Sequence, residues 1–227
     1  MHGRIRSMVL KNHFTTRAAL LLVALALIVG VGIWTVGGTE KADPSGIMLL
    51  PDDHVLGNRD APVKIFEYAE VECPYCKKLR PVLLRIINEN GGKVAFVFRH
   101  FPLTLHPKSF TESTALECAG EANGDEFFFK YLDRLYEITP SNNNIDVAIL
   151  PEVANELGIP RSEFLACLSS DRYKERILRD IEEGIGRNVD SVPHLIILAP
   201  NGKQFVFGKS PSYAALNAVI EAALNEK

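Results

Sequence analysis

The chain has no run of lysines and arginines beyond its first residues, and with 25 basic against 28 acidic side chains its formal charge is −3. It therefore lacks the basic footprint on which nucleic-acid binding rests. It also lacks internal repeats, and one apolar stretch near the start is its only low-complexity segment, so no repeat architecture is expected. Cysteine is scarce, with four in 227 residues. Only Cys73 and Cys76 form a C-x-x-C pair; Cys118 and Cys167 stand far apart in ALECAGE and FLACLSS, both of helical pattern, which argues against a four-cysteine zinc site built on two tight knuckles.

Acid is missing from the N-terminal region. No aspartate or glutamate precedes Glu40, while Arg4, Arg6, Lys11 and Arg17 lie before an uncharged run, AALLLVALALIVGVGIWTV, over 18–36. As a helix that run would measure about 28 Å, close to the hydrocarbon thickness of a bilayer. The basic flank over 1–17 predicts a cytoplasmic N-terminus and export of the remainder of the chain. The run is longer than the usual h-region of about 7–15 residues, which favours an uncleaved transmembrane anchor, although Val36-Gly37-Gly38 supplies the small residues a signal peptidase accepts. Setting the +4 of the four basic residues aside from −3 leaves the exported part at −7. Either outcome places the domain where disulfides last: the periplasm or the extracellular space.

The rest, 47% apolar over the whole chain, suits one buried core. From Gly37 to about Pro62 the composition turns to Gly, Pro and Asp. We assign 37–52 to a linker and 53–227 to the domain. VKIFEYA over 63–69 reads as a strand, CPYC comes at once after it, and Pro74 suits the first turn of a helix that runs to about Asn90 and is closed by Gly91-Gly92. KVAFVFRH over 93–100 is a second strand. From about 106 to 187 the period becomes helical: Phe127, Phe128, Tyr131, Leu132 and Leu135 form one stripe, Tyr173, Ile177, Ile181 and Ile185 another, and shorter helices are expected over 147–157 and 162–168. A hairpin of the Asn-Gly kind joins 195–199 to 204–207, and a helix over 212–224 ends the chain. The expectation is an α/β domain with a mixed sheet and an inserted helical block.

A C-x-x-C pair that opens a helix after a strand points to exchange chemistry. Unpaired N–H groups and the helix dipole favour a thiolate at Cys73, and Cys76, one turn on, is placed to resolve a mixed disulfide. As an inert brace the same bridge would close too short a loop to stabilise much. A bridge between Cys118 and Cys167 would close about 50 residues and contribute about 4 kcal/mol in the chain-entropy model. Two buried free thiols are the alternative there.

In this order, DHVLGNRDAPVKIFEYAEVECPYC, VFRHFPL with LHP, ALECAGEANGDEFF, FLACLSS and SVPHLIIL resemble the DsbA-like thiol:disulfide oxidoreductases of the thioredoxin-fold superfamily, of the bacterial DsbA and BdbD type. The resemblance covers about 53–226 and implies a thioredoxin fold with a helical insertion. It implies a cis peptide before Pro193 facing the cysteines, substrate contacts at Pro74, Tyr75, Val192, Pro193 and His194, and no cofactor or metal. His194 departs from the family's usual small residue; its imidazole either favours the thiolate when charged or simply packs. The resemblance also implies a buried acid at Glu67 that takes a proton from Cys76, while the residues alone leave a solvated strand glutamate open. Glu70 and Glu72 are expected on the surface beside the site, and His100 and His106 in structural roles.

The function this implies is an extracytoplasmic oxidase that introduces disulfides into exported proteins and is reoxidised by a membrane partner of the DsbB or quinone-reductase type. A reductase or isomerase of the same fold, or a chaperone-like module using the groove beside Pro193, are the alternatives.

Overall fold

The computed structural model describes residues 46–226. The basic terminus over 1–17, the anchor or signal segment over 18–36 and the linker before residue 46 lie outside them. Among the described residues no helix is long and apolar enough to cross a membrane.

Five strands form one mixed sheet in the order β1-β3-β2-β4-β5: β1 (His54–Leu56), β2 (Val63–Ala69), β3 (Val94–His100), β4 (His194–Leu198) and β5 (Gln204–Phe207). The crossover helix α1 (Pro74–Glu89) makes β2 and β3 parallel, whereas β1, β4 and β5 pair antiparallel to their neighbours. The helical block comprises α2 (Ser109–Ile138), a 3-10 turn over Val147–Ile149, α3 (Leu150–Glu156), α4 (Arg161–Leu168) and α5 (Lys174–Gly186), and α6 (Tyr213–Leu224) closes the chain. This is the thioredoxin-like architecture with a helical insertion.

Side chains alternate across a strand, so each face of the sheet has its own core. Val63, Ile65 and Ala69 of β2, Phe96 and Phe98 of β3, and Leu195 and Ile197 of β4 meet α1, α2 and α6 in the larger core, which also holds Cys73 and Cys76. Phe66, Tyr68, Ala95, Val97 and Ile196 face the other way with Val55, Phe101 and Ile181.

Packing begins earlier than the composition suggests: Ile47, inside the segment assigned to the linker, is fully buried in that second core. Strand β1 escapes the sequence pattern because its three residues are too few to display a period of two. The long helix α2 is broken at Asn123 and Gly124, where Gly124 takes φ +65, a left-handed conformation open to glycine.

The stripe expected on α5 is corrected. Ile177 is buried but Ile185 is 61% exposed. Residues four apart drift by about 40° per step on a helix of 3.6 residues per turn, so three steps carry Ile185 off the face. The face that packs instead carries Arg176, Ile177, Asp180 and Gly184. Charge is matched there: Arg99 of β3 pairs with Asp53 at 2.7 Å and with Glu183, Arg176 lies 3.0 Å from Glu117, and Asp180 accepts the His100 N–H at 3.1 Å.

Candidate active site

The chain leaves β2 at Ala69 and reaches α1 through Glu70-Val71-Glu72, which sets Cys73 at the helix N-cap with extended backbone. Its sulfur accepts the Cys76 N–H at 3.2 Å, and Pro74 occupies the first helical turn, where no N–H is required. Both thiols are free and buried. The hydrogen bond from the Cys76 side chain holds the Cys73 thiol below the usual cysteine range, with help from the Cys76 and Tyr75 N–H groups against burial and the Glu70 charge. Burial pushes Cys76 well above that range, and its pairing with Cys73 and the charge of Glu67 add to the effect. The two thiols are thus polarised in opposite senses.

The Val192–Pro193 peptide is cis, and the Cys73 thiol donates to the Val192 carbonyl at 3.5 Å. Beside it lies a cleft of about 480 Å³ lined by Tyr75, Val192, Pro193, Gly208 and Lys209, among others, and Tyr75 is 60% exposed. His194 is separated from this group. It pairs with Tyr68 in the β2–β4 ladder and shares the face of Ile196, so alternation sends its ring to the second core, edge-on to Tyr68 at 6.4 Å. Burial lowers its proton affinity, against the opposing charge of Asp190. Of the two roles left open for it, the geometry is that of packing.

Glu67 shares the face of Ile65 and Ala69 and is 2% exposed, beneath α1. Burial pushes its carboxyl up to about 8; the Arg80 guanidinium pulls back, and the Cys73 charge pushes further. Its Oε1 has no hydrogen-bond partner among the described residues.

Glu70 and Glu72 are not surface groups, contrary to expectation: they are 1% and 0% exposed. Glu70 accepts from the Leu103 N–H at 2.8 Å, from the Ser109 hydroxyl at 2.6 Å and from His106. Glu72 accepts from the Ile145 N–H at 2.8 Å and the Asn144 N–H at 3.3 Å, and so caps a turn in which Ser141, Asn142 and Asn143 all have positive φ. Each carboxylate gathers donors from a loop remote in sequence, which is what makes its burial tolerable.

His100 meets Glu117 at 2.7 Å. Among the described residues no group of three or more His, Cys, Asp or Glu side chains is arranged to hold a metal ion. Cys118 and Cys167 are joined in a disulfide, with Cα atoms 5.8 Å apart, tying α2 to α4. The sequence reading missed Arg80. The signal available was a cation on the apolar face of α1 that also carries Cys76, Leu79 and Leu83.

Comparison with known proteins bears on this geometry. Residues 50–222 match the family model described as thioredoxin. The structure of DsbA2 from Pseudomonas aeruginosa superposes with a TM-score of 0.59 at 25% identity, covering 79% of this chain and all of that one. The probable disulfide bond formation protein D of Bacillus anthracis is 23% identical over 212 residues, 90% of this chain and 93% of that one. The Na(+)/H(+) antiporter NhaA 3 of Salinispora tropica is 31% identical over 170 residues, which are 74% of this chain but 24% of the antiporter. The chain thus spans about a quarter of the length of the antiporters it matches.

Proposed function

The chain belongs to the thioredoxin family, with the DsbA-like helical insertion, and from that premise we propose that it is an extracytoplasmic thiol:disulfide oxidoreductase that donates the Cys73–Cys76 disulfide to exported proteins. The observation that carries this reading is a free dithiol at the start of α1 whose Cys73 sulfur accepts the Cys76 N–H at 3.2 Å and lies 3.5 Å from the Val192 carbonyl beside Pro193, with the two thiols shifted in opposite directions.

A client thiolate attacks the Cys73 sulfur of the disulfide, and Cys76 leaves and takes a proton from Glu67. The client's second thiolate then attacks the client sulfur of the mixed disulfide, and Cys73 departs as a thiolate. Two electrons pass from client to protein, and a membrane partner of the DsbB or quinone-reductase type removes them. A leaving thiol of lowered pKa departs faster, and stabilisation of the reduced pair is what makes an oxidant. Tyr75, Val192 and Pro193 receive the client chain; the segment over 18–36 anchors the domain, and the Cys118–Cys167 bridge is structural.

Cys73→Ser is expected to abolish oxidation of a reduced peptide, and Cys76→Ser to accumulate mixed disulfides. Thermal unfolding of the two redox forms tests direction. The reduced form should melt higher, and an oxidised form that melts higher refutes donation.

A further inference from the structure

Arg80 lies one turn of α1 beyond Cys76 and is buried, at 4% exposure. Its guanidinium packs against a pair of touching phenyl rings, 5.3 Å from the centre of Phe96 and 5.2 Å from that of Phe129, whose centres are 5.9 Å apart. Asp133 of α2 accepts from its Nε at 2.6 Å and from Nη2 at 3.3 Å. The third nitrogen, Nη1, has no partner among the described residues, and neither has Oε1 of Glu67. Both side chains lie on one face of the sheet: Phe96, beneath the guanidinium, pairs with Ile65, and Phe98, the next residue on that face, pairs with Glu67. An apolar side chain on this face of α1 would be cheaper than a desolvated cation, so the charge calls for an explanation.

We propose that Arg80 is a positioning residue for the proton exchanged between Cys76 and Glu67, its charge held on the sheet side by Asp133 and the two phenyl rings. The inference rests on the exchange reading of the Cys73–Cys76 pair. When Cys76 resolves a mixed disulfide, its thiol gives a proton to the Glu67 carboxylate and its sulfur attacks Cys73. The bond from Cys73 to the client sulfur breaks, the client leaves as thiolate, and the Cys73–Cys76 bond forms. In an apolar pocket Glu67 would keep its own proton and could not receive that of Cys76. A fixed cation offsets part of that preference, as the direction of its effect on Glu67 indicates. The other polar groups facing Glu67 are Cys73 and Cys76 of α1 and the Tyr136 hydroxyl of α2, which donates to the Glu70 carbonyl at 3.3 Å. Phe98 and Leu195 flank it in the sheet. Asp133, with its side chain 38% exposed, and the largely buried Arg80 both line a separate cleft of about 380 Å³ with Lys77, Leu84 and Tyr136, so the ion pair borders solvent on the side away from the thiols while Glu67, absent from that lining, does not.

The test uses the full chain carrying a preformed mixed disulfide between Cys73 and glutathione. Glutathione release by Cys76 is monitored from about pH 5 to about pH 9, a range that brackets the ordinary catalytic groups. In Arg80→Met the limb of the rate profile due to Glu67 should move up by about one pH unit, slowing release about tenfold on the rising side. Arg80→Lys should restore the limb. Asp133→Asn, which keeps the guanidinium and removes its countercharge, should move the limb down, and this variant carries the test if Arg80→Met fails to fold. In a Glu67→Gln background none of these substitutions should move the profile. If Arg80→Met and Asp133→Asn shift the limb in the same direction, or shift it equally without Glu67, Arg80 is only a clamp between helices and the inference is overturned. A Glu67→Gln protein that keeps the native limb also overturns it. Such a result would leave the exchange reading standing on the Cys73→Ser and Cys76→Ser outcomes.

Discussion

Replacing Glu67 by glutamine should stabilise the reduced protein, and by an amount that depends on pH in a way no simple packing change can imitate. The carboxyl has its ordinary value of 4.5 in the unfolded chain and about 8 in the fold, where burial is the chief cause. Below about pH 4.5 both states hold the proton and the substitution changes stability by a constant. Between the two values only the unfolded chain releases it, so the native protein loses about 1.4 kcal/mol per pH unit relative to the variant. At neutral pH the accumulated difference is about 3 kcal/mol, or about 10 °C in melting temperature for a domain of this size. Above about pH 8 the difference is again constant. Urea unfolding of both proteins at a series of pH values measures it. A constant offset from burying an amide is immaterial, because the slope is the diagnostic. A stability difference that does not grow with pH refutes the reasoning. In the oxidised pair the difference should stop growing at a lower pH and reach a smaller total, because the Cys73 charge that raises Glu67 is then absent.

Two further outcomes concern the scaffold. Replacing Cys118 and Cys167 by alanine opens a loop of separation 49 and should cost about 4 kcal/mol, or about 12 °C in melting temperature, with exchange at Cys73 retained; an unchanged melting temperature refutes the structural role. Gly184→Ala places a methyl group 2.7 Å from Phe101 and 3.1 Å from Tyr68 and should cost about 1–3 kcal/mol by overpacking. Gly186→Ala meets nothing within 4 Å and serves as the neutral control in the same thermal scan.

Much of this architecture is legible in the sequence because it is local. The change of period between VKIFEYA and the helix after CPYC, with Pro74 at its start and glycines at its end, requires no tertiary information. What escaped was decided elsewhere in the chain. Glu70 and Glu72 read as surface acids because the N–H groups that satisfy them come from Leu103 and Ile145, sequence separations of 33 and 73. The direction of His194 is set by strand register, which fixes the face of a side chain only once Tyr68 is known to lie opposite. Arg80 escaped because the groups that bury it, Asp133 and Phe129 of α2 and Phe96 of β3, come from other elements of the fold.

The short bend between β2 and α1 is held from three sides. Glu70 is tied to the loop around Leu103 and Ser109, Glu72 to the turn around Asn144, and Cys73 to the peptide before Pro193. The dithiol is for that reason not a portable cassette. Grafted onto the start of another helix, the tetrapeptide would keep the N–H that faces its first sulfur. It would lose the Val192 carbonyl, the two anchored acids and the buried Glu67 carboxyl, all contributed from outside the tetrapeptide. The smallest piece that can be transplanted with its chemistry intact is discontinuous in sequence, so a redesign of this centre has to carry the surrounding loops with it.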